Sequence, residues 1–294
     1  MADRTSQVLH ASDGRALTVA QWGDPYGTPV LQLHGTPGSR LDRHPDEALV
    51  RAAGVRLVTF DRPGYGGSDR HRGRRVVECI PDVEVIADVL GIARFAVTGR
   101  SGGGPHALAV AAGLAARATR VACTGGIAPY DALGDAWFAG MDPEMVEEFR
   151  LALEGEEPLA ELLRRRDHRQ REAVLADPPQ SHGDVARAAS DRPVESGDDD
   201  AEILRHSTFE QTRNGVWGWV DDDLACTLPW GFDPSSIAVP ARIEYGIADV
   251  LVPPSHGEWL ARRVTGAEVK VHGAGYPGDA DADHVERLAW LTGP

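Results

Sequence analysis

The sequence predicts an α/β fold, a mostly parallel central sheet flanked by helices and interrupted by an inserted block of helices. Two observations carry this. Short apolar runs at residues 30–33, 56–60, 95–98, 120–124, 241–245 and 268–272 alternate with helical patterns, as expected for parallel strands joined by crossover helices. Between 128 and 234 the alternation stops, and helix follows helix without an intervening strand.

Each element has a local reason. Residues 7–10 and 16–20 flank Asp13-Gly14, a hairpin signal, and form antiparallel edge strands. The run at 30–33 enters His34-Gly35-Thr36-Pro37-Gly38, and that at 56–60 enters Asp61-Arg62-Pro63-Gly64-Tyr65-Gly66-Gly67-Ser68. A helix over 76–90 is closed by Gly91, and the strand from Phe95 breaks at Gly99-Arg100-Ser101-Gly102-Gly103 before a small-residue helix over 106–116. In the insertion, Asp142 caps a helix with Pro143 in its first turn, and Met145, Phe149 and Leu153 share one face. A second, highly charged helix spans 158–175, and the acidic stretch 191–200 reads as a mobile loop.

The chain has 294 residues, enough for one large core with an insertion. Forty-five acidic against 30 basic residues give a net charge of −15, which disfavours nucleic acids and anionic membranes as partners. The N-terminus lacks an apolar stretch of signal-peptide length and no segment reaches membrane-span length, so a cytoplasmic location is expected. Cys79, Cys123 and Cys226 are odd in number and widely spaced, which favours reduced thiols over disulfides or zinc. No cofactor and no metal is implied. The runs Asp198-Asp199-Asp200 and Asp221-Asp222-Asp223 read as solvated surface rather than metal sites.

The chemistry is carried first by Gly99-Arg100-Ser101-Gly102-Gly103, a G-x-S-x-G sequence between a strand and a helix. A serine on such a turn is lifted off the sheet edge, and the helix N-terminus behind it offers N–H groups to an oxyanion. With His34-Gly35-Thr36-Pro37-Gly38 beside it, the chain resembles the α/β-hydrolase family, in particular serine esterases and proline-iminopeptidase-like members with a helical cap. The resemblance implies a core of 1–127 and 235–294 with a cap at 128–234. It also implies an oxyanion hole built from the N–H groups of Thr36 and Gly102, with His34 shaping the turn.

The resemblance further places the triad acid at Asp249, in the Gly246-Ile247-Ala248-Asp249-Val250-Leu251-Val252-Pro253 loop, with His256 in a structural position on the next helix. After the last strand the family carries its general-base histidine in a G-x-G-H loop. Here that loop reads Gly273-Ala274-Gly275-Tyr276. A phenol with a reference pKa near 10 is a poor base at neutral pH, and loss of the base removes several orders of magnitude in rate. Three alternatives stay open: His284 or His272 replaces the base, Tyr276 serves a non-hydrolytic cyclisation, elimination or rearrangement, or the chain is a weak relative that binds a small molecule.

Arg100 beside the serine is either in an ion pair or recognises an acidic substrate group, and His106 is expected to pack. Trp137, Phe138, Trp217, Trp219 and Trp230 concentrate in the insertion and suggest an apolar roof over a fairly bulky, partly apolar ester, thioester or amide. Among these, His34, Trp137 and Trp217 are the candidate substrate contacts.

Overall fold

The computed structural model describes residues 6–176, 198–273, 275–277 and 280–293. Its strands are β1 (Gln7–His10), β2 (Ala16–Gly23), β3 (Thr28–Leu33), β4 (Val55–Phe60), β5 (Phe95–Arg100), β6 (Ala118–Thr124), β7 (Ala241–Gly246) and β8 (Glu268–His272). They form one sheet in the order β1-β2-β4-β3-β5-β6-β7-β8. β1 and β2 pair antiparallel, β2 runs antiparallel to β4, and all later pairings are parallel.

Strand periodicity explains why both faces are covered. Val30, Leu57, Ala96 and Ala122 point to one face, against Val50 of α1 (Glu47–Ala52) and Leu288 and Leu291 of α10 (Asp281–Thr292). Their neighbours Leu31, Val58, Val97 and Cys123 point to the other. There they meet Ile86 of α2 (Ile80–Val89), Leu108 of α3 (Gly103–Gly113) and Leu260 of α9 (Pro254–Arg263). A sheet buried on both sides leaves its strand C-terminal ends as the exposed edge for chemistry.

Between β6 and β7 the described chain is helical: α4 (Tyr130–Leu133), α5 (Pro143–Glu154), α6 (Glu156–Ala176), α7 (Asp198–Gln211) and α8 (Trp217–Thr227). Asp142 caps α5 by accepting the Glu144 N–H at 2.8 Å. Residues 191–197 of the expected acidic loop lie outside the described residues, and Asp198–200 open α7 instead. The helix expected over 76–90 begins as a 3-10 turn, Val76–Cys79, and continues as α2. α3 starts three residues before His106, directly behind Ser101.

The larger correction concerns Asp221-Asp222-Asp223, which is fully buried on α8 rather than solvated. Arg70 pairs with Asp221 at 2.8 Å, while Arg62 and Arg74 converge on Asp222. Cationic loops after β4 thus receive an acidic helix, and so much buried charge persists only because it is paired. The three cysteines are buried free thiols, and burial pushes the Cys123 thiol up to about 12. Among the described residues no helix is long and apolar enough to cross a membrane.

Candidate active site

Ser101 sits between β5 and α3 at φ 50°, the one non-glycine residue with positive φ among those described. An L-residue there stores backbone strain, which persists only where the surroundings enforce it. They do so here: the Ser101 N–H donates to the Thr124 carbonyl at 2.9 Å, and the Gly104 N–H donates to the Ser101 carbonyl at 2.9 Å. The glycines are sterically required. A Cβ on Gly99 would meet the Gly103 carbonyl and the Ala107 methyl, and one on Gly103 would meet the carbonyls of Leu33 and His34.

The loop after β3 lies against this turn. A Cβ on Gly102 would collide with Thr36 Oγ1, and one on Gly35 would stand 3.7 Å from Ser101 Cβ, so Thr36 and Gly102 flank the serine. His34 does not face the cavity, contrary to its expected role as a substrate contact. It is buried, donates from Nδ1 to the Gly35 carbonyl at 2.8 Å and accepts the Arg62 N–H on Nε2 at 3.1 Å. Burial lowers its pKa to about 3, so it is neutral and fixes the turn.

Arg62 reaches the carbonyls of His34 and Gly35 and ties them to α8. Thr36 Oγ1 donates to Asp222 at 2.7 Å, Tyr65 Oη at 2.8 Å, and Arg74 at 2.5 Å. Burial opposes charge on Asp222, but the Arg62 and Arg74 guanidiniums overcome it and hold the carboxyl well below the usual range. His106 behaves as the packing residue expected: buried, Nδ1 on the Gly102 carbonyl at 2.8 Å, its pKa lowered by burial to about 3.

A small cavity opens over Ser101, Thr36 and Gly102. Ile127 and Val252 form its sides, and Met145, Glu148, Phe149, Asp223 and Cys226 of the insertion its roof. Neither expected tryptophan lines it. Trp137 lies behind Phe149, ring centres 4.6 Å apart, with its indole N–H on the Ala128 carbonyl. Trp217 is stacked under the guanidiniums of Arg70 and Arg164. The tryptophans at 137 and 217 pack away from the cavity, and of the large aromatic side chains Phe149 reaches it.

Asp249 follows β7 and is buried, its Oδ1 accepting the N–H groups of Leu251 at 2.9 Å and Val252 at 3.0 Å. His256 bridges the Ala128 N–H and the Trp137 carbonyl, the structural role expected of it. Tyr276 lies beside the Ser101 turn, its hydroxyl donating to the Thr124 carbonyl at 3.3 Å. Its ring lies under Arg100, whose guanidinium is 5.3 Å from the ring centre and 3.6 Å from Asp42.

The two histidines considered as replacement bases lie elsewhere. His272 faces Glu244 at 3.5 Å and Asp283 at 3.7 Å. His284 stacks on His44 at 4.5 Å, with its pKa lowered by burial to about 3. Among the described residues no imidazole hydrogen-bonds to Ser101. The acidic pair Glu148 and Asp223 in the roof escaped sequence reasoning, because nothing local distinguishes a carboxylate on an amphipathic helix that faces a cavity from one that faces water.

A family model described as the alpha/beta hydrolase fold matches residues 28–259. The chain is 35% identical over 113 residues to a proline iminopeptidase of Xylella fastidiosa, covering 35% of this chain and 34% of that protein. It is 30% identical over 144 residues to a non-heme chloroperoxidase of Streptomyces lividans, covering 48% and 52%. The chain thus spans a third to a half of the length of these curated relatives. A solved hydrolase from Pseudomonas aeruginosa PA01 superposes over 100% of both chains with a TM-score of 0.70 at 19% identity. The enol-lactonase from Burkholderia xenovorans LB400 superposes over 97% of this chain and 96% of its own with a TM-score of 0.63 at 20% identity. Sheet order, strand-to-helix turn and family match agree: the chain belongs to the alpha/beta hydrolase fold family.

Proposed function

We propose that this chain is a cofactor-free serine hydrolase acting on an ester, thioester or amide of a small molecule, with 128–234 as a helical cap over the site. The observation that carries it is Ser101 at φ 50°, opening into a cavity it shares with Thr36 and Gly102. Ser101 is the nucleophile, and the N–H groups of Thr36 and Gly102 stabilise the oxyanion that forms when it adds to a carbonyl. Asp249 is the acid of the site, and Tyr276 occupies the position at which the family carries its base. The names of the relatives, which include iminopeptidase, epoxide hydrolase and esterase, support hydrolysis as the reaction class.

A second reading has one specific support. No described imidazole reaches Ser101, and a phenol stands in the base position, which favours a non-hydrolytic cyclisation, elimination or rearrangement on the same scaffold. The test is covalent labelling with a fluorophosphonate, read by intact mass. Wild type gains one adduct and Ser101→Ala gains none. A folded wild type that stays unlabelled at high probe concentration excludes an activated Ser101 and leaves the second reading.

A further inference from the structure

Two carboxyl groups of the insertion form part of the cavity roof. Asp223 on α8 and Glu148 on α5 are 1% and 2% exposed, and both line the cavity that holds Ser101, Thr36 and Gly102. Their surroundings differ. Glu148 accepts the Trp219 indole N–H at 2.9 Å on Oε1 and the Arg166 guanidinium on Oε2. Neither oxygen of Asp223 accepts an N–H or O–H from a described residue.

Two adjacent buried carboxylates repel and cannot donate to one another, whereas a single shared proton removes one charge and creates a hydrogen bond. Glu148, already bonded to a guanidinium and an indole, is the ionised partner, and Asp223 holds the proton. Burial and the neighbouring Glu148 push the Asp223 carboxyl well above the usual range, which makes it the partner that holds the proton. Buried carboxyl pairs with one proton between them act as acid and base in turn.

We propose that the Asp223–Glu148 pair is the proton-transfer element of this site, supplying from the roof what Tyr276 cannot supply from the last loop; the proposal rests on Ser101 being the nucleophile. As Ser101 Oγ bonds to the substrate carbonyl carbon and the bond to the leaving oxygen breaks, Asp223 gives its proton to that oxygen. The Ser101 hydroxyl proton passes to the pair and restores its single proton. Water then adds to the acyl group on Ser101, its proton enters the pair, and the pair returns one to Ser101 Oγ. Substrate and water become acid and alcohol, with no other reactant required.

The charged and titratable groups around the pair are Arg166 on α6, Asp222 and Cys226 on α8 and Tyr65 of the loop after β4, with Arg62, Arg74 and His106 facing Asp222 from the core. Asp222 is held ionised, burial pushes the Cys226 thiol and the Tyr65 phenol up, and His106 is neutral, so among these groups it is the pair whose proton is placed to move. Activity therefore falls on the alkaline side as the shared proton is lost.

The test uses the intact protein and phenyl acetate, whose phenoxide, unlike p-nitrophenoxide, is basic enough to need a proton as it leaves, with fluorophosphonate labelling run alongside. Asp223→Asn keeps the shape and can still donate to Glu148 but carries no transferable proton; turnover is expected to drop by about 100-fold or more. The alkaline limb seen in wild type should disappear with it. Turnover of folded Asp223→Asn within about threefold of wild type, while wild type labels at Ser101, overturns the proposal and leaves the serine reading intact. If Asp223→Asn does not fold, the wild-type profile decides. An alkaline loss of one proton supports the pair, and a rate that only rises with pH overturns it. A wild type that does not label removes the nucleophile and the proposal together.

Discussion

The Ser101 N–H and the Tyr276 hydroxyl share one acceptor, the Thr124 carbonyl at the C-terminal end of β6, at 2.9 and 3.3 Å. Tyr276 therefore supports the strand end that holds the strained serine turn. Its ring also fills the space over Gly125, where a Cβ would stand 2.6 Å from it. A phenol committed as a donor to a backbone carbonyl is placed to brace the turn rather than to take a proton from Ser101 Oγ.

Replacing that phenol tests its role. Tyr276→Phe removes one long hydrogen bond and keeps the ring, so ester turnover should stay within about threefold of wild type and the melting temperature should fall only slightly. Tyr276→His places an imidazole beside the Ser101 turn and should raise p-nitrophenyl acetate turnover on the order of 10²-fold, the scale of general-base assistance. An unchanged rate in Tyr276→His would show that side chains at 276 do not reach Ser101.

His272 and His284 provide the complementary test. The first is held between Glu244 and Asp283, and the second is stacked on His44. His272→Ala and His284→Ala should each leave ester turnover within about threefold of wild type once folded protein is compared, because their contacts are to the last helix and outer loops. Loss of fluorophosphonate labelling in either folded variant would identify a relocated base.

Strand periodicity and the G-x-S-x-G turn were legible because their causes are local. Alternate side chains must face opposite sides of a sheet, and a strand-to-helix turn of this sharpness needs glycine at positions 99, 102 and 103. The buried charges were not legible, because their partners are distant in sequence. Arg62 and Asp222 are 160 residues apart, as Arg70 and Asp221 are 151. A run of three aspartates reads as surface until the fold brings three arginines to it. The tryptophans misled for a related reason: composition indicates that a helical block has an aromatic interior, but not which smaller side chains, here Met145, Glu148 and Asp223, form its inner face.

Asp222 joins the loop after β3 to α8, and its removal should be costly in two ways. Asp222→Asn leaves Arg62 and Arg74 buried with reduced compensation, a loss on the order of 3–5 kcal/mol. It also weakens the anchor of Thr36 Oγ1. Thermal unfolding should show the stability loss. Thr36→Val, which removes only the hydroxyl, separates the second effect: kcat for esters should fall with little change in melting temperature. Equal losses of kcat in Thr36→Val and Thr36→Ser would rule out the hydroxyl as the anchor.

Stability should fall steeply on mild acidification. Burial lowers the pKa of His34, His106 and His284 to about 3 and that of His256 to about 4, against an ordinary value near 6.5. Each is neutral in the folded chain and exposed once it unfolds, so below pH 6.5 the unfolded state binds more protons. Stability then rises with pH in that window, and the contribution is complete above 6.5. It is lost as pH falls toward the folded-state values, at about 1.4 kcal/mol per pH unit for each histidine. Four such groups would remove several kcal/mol between pH 6.5 and 5, a large share of a typical domain's stability. Denaturant unfolding at pH 7.5, 6.5, 5.5 and 5.0 measures this directly. The unfolding free energy should fall slightly between the first two and more steeply below, with the proton uptake of the four histidines partly offset by Asp61 and Asp223, whose buried carboxyls hold protons that the unfolded chain releases. His284→Phe, which keeps a ring against His44 but cannot protonate, should reduce that uptake by about one; an unchanged uptake would mean that His284 is already accessible to protons in the folded chain.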